Sequence, residues 1–416
     1  MKRIILSVFA AAVTAAWAIP ASAGDVTFSG QYRLRGEYIE NNDFSDATND
    51  ANDFWAQRVR LTANAKATDD VSVKITLQDT RTWGAEGTTT AGSPGVSGPQ
   101  LTDAGTSINS NVDIHEAYLN VTNIFGTPVS LRAGRQELAY GDERLIGSFG
   151  WNNNGRAFDA FKLMYSNDAV NVDAFTATIS EGGSQSVVPT TGDDTYFSGV
   201  YATLKQLIPN NTLDVYLLNL NSGTSEAANI YTIGARVKGA AAGVDYTVEL
   251  PFQFGEEGTL AGGSDISAWA FAAKAGYTLP TPMKIRVGAE YDFATGQDPD
   301  ETDNTVFSNL FPTNHAHFGI ADVTGANQWS NISAWSVNAS VDLNEKLRLF
   351  VAYWDFTQDE AAGDDEIGSE IDVVATYKYN NNLNLEAGAS RFFVGDALAV
   401  DGDDRDFAYL QITANF

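Results

Sequence analysis

The chain contains no cysteine in 416 residues, so disulfide frameworks, thiolate metal sites and cysteine nucleophiles are all excluded. Basic residues are scarce: 25 Lys and Arg stand against 53 Asp and Glu, a formal charge of −28. No basic surface exists to neutralise phosphates, which argues against nucleic acid as a partner. Beyond the amino terminus no apolar run approaches the roughly 18 residues of a membrane helix. Histidine is limited to His115, His315 and His317, and neither a G-x-S-x-G elbow nor an H-E-x-x-H pair occurs. His315-Ala-His317 indicates no third metal ligand. His115 and Glu116 are neighbours in a strand-like stretch, so alternation sends them to opposite faces. These absences leave an enzyme as the third reading.

What the chain does have begins with residues 1–23, MKRIILSVFAAAVTAAWAIPASA. Two cations, an apolar run and Ala-Ser-Ala read as a secretory signal peptide. The remainder, 24–416, reads as one domain of period-two segments such as VSVKITLQD (71–79) and KLRLFVAYW (346–354). Alternation of this kind marks strands with two unlike faces. About eighteen strands are expected, with sixteen as the alternative count. Long acidic or Gly/Ser/Thr-rich loops alternate with short turns such as Asp69-Asp70 and Asn167-Asp168. An all-β, transmembrane, antiparallel up-and-down barrel in a bacterial outer membrane has this plan. The long connections, including 84–110, 140–155 and 295–329, are then extracellular.

Two further signals favour the barrel over a soluble sandwich. The last strand places Ala408, Leu410, Ile412, Ala414 and Phe416 on one face and ends on an aromatic residue, resembling a signal for the barrel-assembly machinery. Trp55, Trp83, Trp151, Trp329, Trp335 and Trp354 lie near expected strand ends, as an interfacial girdle would. Outer-membrane lipid and lipopolysaccharide are the expected surroundings.

The faces follow from cost. A lipid-facing Lys or Arg at mid-depth costs about 2–4 kcal/mol, so the cations must point inward. This phasing assigns Arg33, Arg35, Arg58, Arg60, Lys74, Arg132, Lys162, Arg236, Lys284, Arg286 and Arg348 to the lumen. Glu116, Glu249, Glu290, Asp372 and Glu386 join them. Eighteen strands enclose more space than side chains fill, leaving an aqueous channel unless loops plug it. Acidic stretches at 296–304 and 401–406 could bridge a divalent cation such as calcium, but they lack the EF-hand pattern. No other cofactor is indicated.

The stretch 133–147, AGRQELAYGDERLIG, breaks the pattern, because Arg132 and Arg135 cannot share a face. With Leu131 and Ala133 toward lipid, Arg132 and Gln136 point inward and Arg135 and Glu137 outward, at the outer interface where such an arginine costs little. A bulge at Gly134 would instead swing Arg135 inward. Arg135, Glu137, Asp142, Arg144, Arg156 and Asp159 are expected to form an ion-pair network fixing the following loop over or into the pore.

Gly134-Arg135-Gln136-Glu137-Leu138, Tyr140-Gly141-Asp142, Arg144-Leu145-Ile146-Gly147, Trp151 and Arg156-Ala157-Phe158-Asp159, together with FPTNHAHFG at 311–319, resemble the alginate-export family of outer-membrane barrels. That resemblance implies a monomeric eighteen-stranded barrel with an electropositive, loop-gated lumen, some members passing the polyuronate alginate outward. Arginine suits such a path because its fork binds a carboxylate through two hydrogen bonds.

The leading functional expectation is passive diffusion of hydrophilic, anionic solutes through the Arg/Lys-lined lumen. Charge reversal at Arg132 plus Arg58 would weaken that preference. The alternative is a sleeve or scaffold for an electron-transfer or polysaccharide-secretion partner.

Overall fold

Alternating residues place every other side chain on the same face of a strand, and a chain of such strands in lipid must close on itself to satisfy its edges. The computed structural model describes residues 25–45, 50–84, 112–180, 194–222, 228–257, 263–324, 329–398 and 402–416. The expected signal peptide, 1–23, lies outside them.

The described strands are β1 (Val26–Glu40), β2 (Asn52–Lys66), β3 (Val71–Thr82), β4 (Asp113–Val121), β5 (Val129–Gln136) and β6 (Phe158–Ser166). They continue with β7 (Val170–Ser180), β8 (Thr195–Leu204), β9 (Asn211–Ser222), β10 (Asn229–Ala241), β11 (Val244–Glu256) and β12 (Asp265–Thr278). The set ends with β13 (Arg286–Ala294), β14 (Ile332–Asp342), β15 (Leu347–Thr357), β16 (Glu366–Lys378), β17 (Leu383–Val394) and β18 (Arg405–Asn415). Each strand pairs antiparallel with its sequence neighbours, and β1 also pairs with β18, closing the 18-stranded sheet. The closing register runs from Gln31 opposite Asn415 to Glu40 opposite Asp406, and Phe416 continues it through backbone bonds to Gly30.

The outer face is apolar. Leu61, Leu163, Ile233, Phe252, Val287, Val337, Val351, Ile371 and Leu410 are all exposed there, which only a hydrocarbon surrounding makes favourable. Trp55, Trp83 and Trp335 share this exposure, as does Trp269. The expected tryptophan girdle is corrected for the other three: Trp329 and Trp354 are buried, and Trp151 stacks on His315 and meets Tyr409 edge-on. Plugging loops give the interior an apolar environment of its own.

Two local departures from alternation also correct the sequence reading. Lys284 is not in a strand: its φ is +45, it donates its backbone N–H to the Thr281 carbonyl, and it is exposed in the turn before β13. It lies at the short-turn rim, outside the lumen wall. Between β3 and β4 the register shifts, with Thr76 opposite Glu116 but Leu77 opposite Ile114. His115 is the extra residue of this bulge, so His115 and Glu116 both face inward and are both buried.

Candidate functional site

The loop between β5 and β6, residues 137–157 and here L3, folds into the barrel. The loop between β13 and β14, residues 295–331 and here L7, meets it there. Ile146 bridges Phe311 in parallel. The Phe311 N–H donates to the Leu145 carbonyl at 2.9 Å, Gly147 N–H to Phe311 at 2.8 Å, and Thr313 N–H to Glu143 at 2.8 Å. Arg156 clasps the junction, donating to the carbonyls of Phe311 and Pro312, both at 2.6 Å. Burial lowers its guanidinium to about 10, with Glu143 opposing. Apolar side chains seal the contact: Phe311 meets Phe158 and Phe197 edge-on, with centroids 5.5 and 4.8 Å away.

L3 is tied to the far wall by buried ion pairs. Arg144 reaches Glu290 and, at 2.9 Å, Asp292 on β13, lying over the rings of Trp329 and Phe318. Burial opposes its charge, but Asp292 and then Glu290 outweigh that and raise the guanidinium. Asp142 bonds Arg236, which also holds Asp214 at 2.8 Å, and it accepts from Lys274 at 2.5 Å. Burial alone would raise the Asp142 carboxyl; Lys274 and then Arg236 hold it well below the ordinary carboxylate range. His317 of L7 contacts the Asp142 carbonyl at 2.8 Å, and burial, then Arg144, keeps its imidazole neutral, far below the usual histidine value.

A depressed carboxyl stabilises the fold above its unfolded pKa of about 3.9, and that contribution is lost only as pH falls through the still lower folded value. The Asp142 anchorage is therefore expected to be intact at both pH 7 and pH 5. Proteolysis of L3 in reconstituted protein checks this. Cleavage that accelerates between those two values and is abolished by Asp142→Asn would contradict it.

The near wall holds L3 differently. Arg33 and Arg58 face each other across β1 and β2 and donate to the carbonyls of Gly150 and Asn152. Arg35 donates to the Trp151 carbonyl at 2.7 Å and covers its ring at 3.7 Å. Arg60 reaches Gln78 at 2.6 Å and Glu137 at 3.2 Å. The expected lumen arginines of β1 and β2 thus point inward, and L3 covers them.

The remaining cations are distributed along the wall. Lys74 pairs with Glu116 at 2.5 Å, Lys162 with Asp173 at 3.4 Å and Arg286 with Asp245 at 2.6 Å. Arg348 donates to the Ser340 hydroxyl at 2.8 Å. Arg132, opposite Lys162, lies over the Tyr118 ring at 4.4 Å and has no hydrogen-bond or ion-pair partner among the described residues.

The six residues expected to form one ion-pair network do not. Only Arg135 and Asp159 meet each other, at 3.2 Å on the outer face. Gly134 adopts φ +125, where an added Cβ would lie 2.3 Å from the Ala117 carbonyl oxygen, yet Arg135 stays outward. Glu137 corrects the outward expectation: β5 ends at Gln136, and the carboxylate turns inward to Arg60 and to His115 at 2.7 Å. Asp142, Arg144 and Arg156 each tie L3 to a different partner.

Both sequence stretches that carry the family resemblance thus meet inside the barrel. Over residues 25–410, nearly its full length, the chain matches the alginate-export family. It belongs to that family. Among curated proteins none matches. Solved outer-membrane channels share the fold. Pseudomonas aeruginosa OccK8 (OprE) is 14% identical with a TM-score of 0.62, covering 95% of this chain and 99% of its own. Acinetobacter baumannii OccAB4 is 12% identical, TM-score 0.62, with coverages of 96% and 100%. Pseudomonas aeruginosa OccK2 (OpdF), solved in complex with glucuronate, is 13% identical, TM-score 0.61, with coverages of 95% and 98%.

This alginate-export barrel is accordingly an outer-membrane channel. Sequence reasoning missed how L7 packs against L3 inside the barrel. Phe307, Phe318 and Trp329 are buried there, and Glu370 of β16 accepts the N–H groups of Ile320 and Ala321 at 2.7 and 2.9 Å. The 311–319 motif was the available signal, an apolar and histidine-bearing stretch inside a nominally exposed loop. The acidic stretch at 296–304 spends its residues on turns, Asp298 accepting from Asp300 N–H at 2.9 Å. Among the described residues no three His, Asp or Glu side chains converge to hold a metal. Asp401 lies outside them.

Proposed function

We propose that the channel prefers anions, specifically small carboxylated solutes, and that they pass along the β1–β6 side of the lumen. One observation carries this reading: the walls are unequally charged. Arg33, Arg35, Arg58, Arg60, Lys74, Arg132 and Lys162 line β1–β6, while the inward-facing carboxylates of those strands and of the start of L3 are Glu37, Glu116 and Glu137. Asp214, Glu249, Glu290, Asp292, Glu370 and Asp372 lie on the opposite wall, where Arg236, Lys274, Arg286, Arg348 and Arg405 offset them in part. Excess positive charge in a low-dielectric passage concentrates anions. The neighbour solved with glucuronate, a carboxylated sugar, supplies a suitable probe.

The lumen is occupied by the chain's own L3 and L7 where a sleeved partner would have to lie, which favours a channel over a scaffold. The family and fold likewise favour a channel over an enzyme. The closed sheet leaves no free edge to pair with a second copy, which supports a monomer. The apolar outer face and terminal Phe416 fit contact with outer-membrane lipid, lipopolysaccharide and the barrel-assembly machinery.

Proteoliposome swelling tests the reading. With a sodium-carrying ionophore present so that entry stays electroneutral, sodium glucuronate should enter faster than uncharged glucose of nearly the same size. Equal or slower entry of glucuronate would refute a carboxylate preference.

A further inference from the structure

Arg33 and Arg58 carry positive charge that their surroundings do not match. They are 4% and 5% exposed, and neither has a carboxylate within ion-pair distance among the described residues. Their partners are neutral oxygens. The Gly150 carbonyl accepts from Arg33 at 2.8 Å and from Arg58 at 3.2 Å. The Asn152 carbonyl accepts from the same two residues, at 3.1 Å each. Asn153 Oδ1 and Gln31 Oε1 complete the set at 2.8 Å each, and the Nε atoms of both arginines remain unpartnered. Flanking Arg35 and Arg60 have one carboxylate each, Glu37 at 2.6 Å and Glu137 at 3.2 Å.

Two adjacent guanidiniums bridged by two carbonyl oxygens is the arrangement a single carboxylate would fill with its own two oxygens. A carboxylate would do so with stronger, charge-assisted bonds, and would neutralise a buried charge that neutral carbonyls leave standing. We propose that this cluster is a carboxylate-binding site whose resting occupant is the loop segment 150–154, which a solute carboxylate displaces. The inference rests on the anion-channel reading and adds to it a solute-triggered release of L3.

The segment suits displacement. Its sequence, GWNNN followed by Gly155, contains no charge. Gly155, at φ +70, supplies a joint that side-chain-bearing residues rarely adopt. Among its other holds are Trp151, stacked between Arg35 at 3.7 Å and His315 at 3.5 Å with its carbonyl accepting from Arg35 at 2.7 Å, and the Asn154 contacts to Gln78 and Thr80, both at 2.8 Å, and to Arg60 at 3.4 Å. None of these is an ion pair, in contrast to the Arg144 and Asp142 anchors on the far wall.

The absence of cysteine makes the test direct, because Asn153→Cys introduces a single thiol. Its reaction rate with an uncharged maleimide is measured in reconstituted protein with succinate and with sodium chloride at matched ionic strength. Exchanging neutral for charge-assisted hydrogen bonds predicts roughly tenfold faster labelling with succinate and no change with chloride. With Arg33→Gln and Arg58→Gln added, labelling should be fast from the start and indifferent to succinate. No succinate effect in Asn153→Cys alone, or an equal effect of chloride, overturns the proposal, whether or not the triple variant folds. The zero-current potential of the same preparation reports ion preference separately. Anion preference without a succinate effect removes only this inference, whereas cation preference with one removes only the functional reading.

Discussion

Arg144→Met is expected to cost about 3–5 kcal/mol, the range for removing one partner of a buried pair, and to enlarge the conductance. The reason lies in what the substitution leaves behind. Asp292 is fully buried and Glu290 nearly so, and both direct an oxygen at the Arg144 guanidinium. Methionine fills the space beside Trp329 and Phe318 but supplies no charge, so two carboxylates remain side by side in an apolar setting. Releasing L3 relieves that conflict by admitting water. Thermal unfolding in detergent reads the first effect, single-channel recording the second. Adding Glu290→Gln and Asp292→Asn should restore most of the lost stability, because the orphaned charges go with the arginine. A single variant with unchanged melting and conductance would show that L3 does not depend on this anchor.

Reversing charge at Arg132 and Arg348 is expected to have the largest effect on selectivity. The Arg58 reversal that sequence alone suggests is a poorer probe, because Arg58 holds the Gly150 and Asn152 carbonyls, and a glutamate there would repel the loop. Arg132 and Arg348 lack carboxylate partners among the described residues, so Arg132→Glu with Arg348→Glu breaks no ion pair. The charge in the passage changes by about four units. At a separation of about 8 Å and an effective dielectric near 40, each unit contributes about 1 kcal/mol before salt screening. The anion-to-cation permeability ratio should fall at least about tenfold. An unchanged ratio would place these residues outside the conducting path.

The barrel was legible because its cause is local. Alternation and turn chemistry act over a few residues, so the strands could be located from stretches such as VSVKITLQD and KLRLFVAYW. The misassignment of Lys284 to the lumen wall has an equally local cause, a Thr281–Lys284 turn whose positive φ at Lys284 interrupts an apparently regular pattern. The bulge at His115 likewise leaves no mark in composition, yet turns two neighbours to the same face.

The site was legible only in part, because its partners are far apart in sequence. That L3 would enter or cover the pore could be argued from charges that have no place in a lipid-facing strand. That Ile146 would bridge Phe311, or Arg144 find Asp292, could not. Trp354 and Trp335 show the same limit: both lie near strand ends, but one is buried inside and the other exposed outside, since plugging loops make both faces apolar.

The central claim is that an excess of cations on the β1–β6 wall, beside L3 and L7, makes this channel anion-preferring. The most direct measurement is the zero-current potential of the unmodified protein in a planar bilayer across a potassium chloride gradient. The account predicts a potential of the sign set by chloride, reduced in magnitude as salt is raised and the charged wall is screened. A potential of the sign set by potassium, or a bilayer that stays silent, would contradict it.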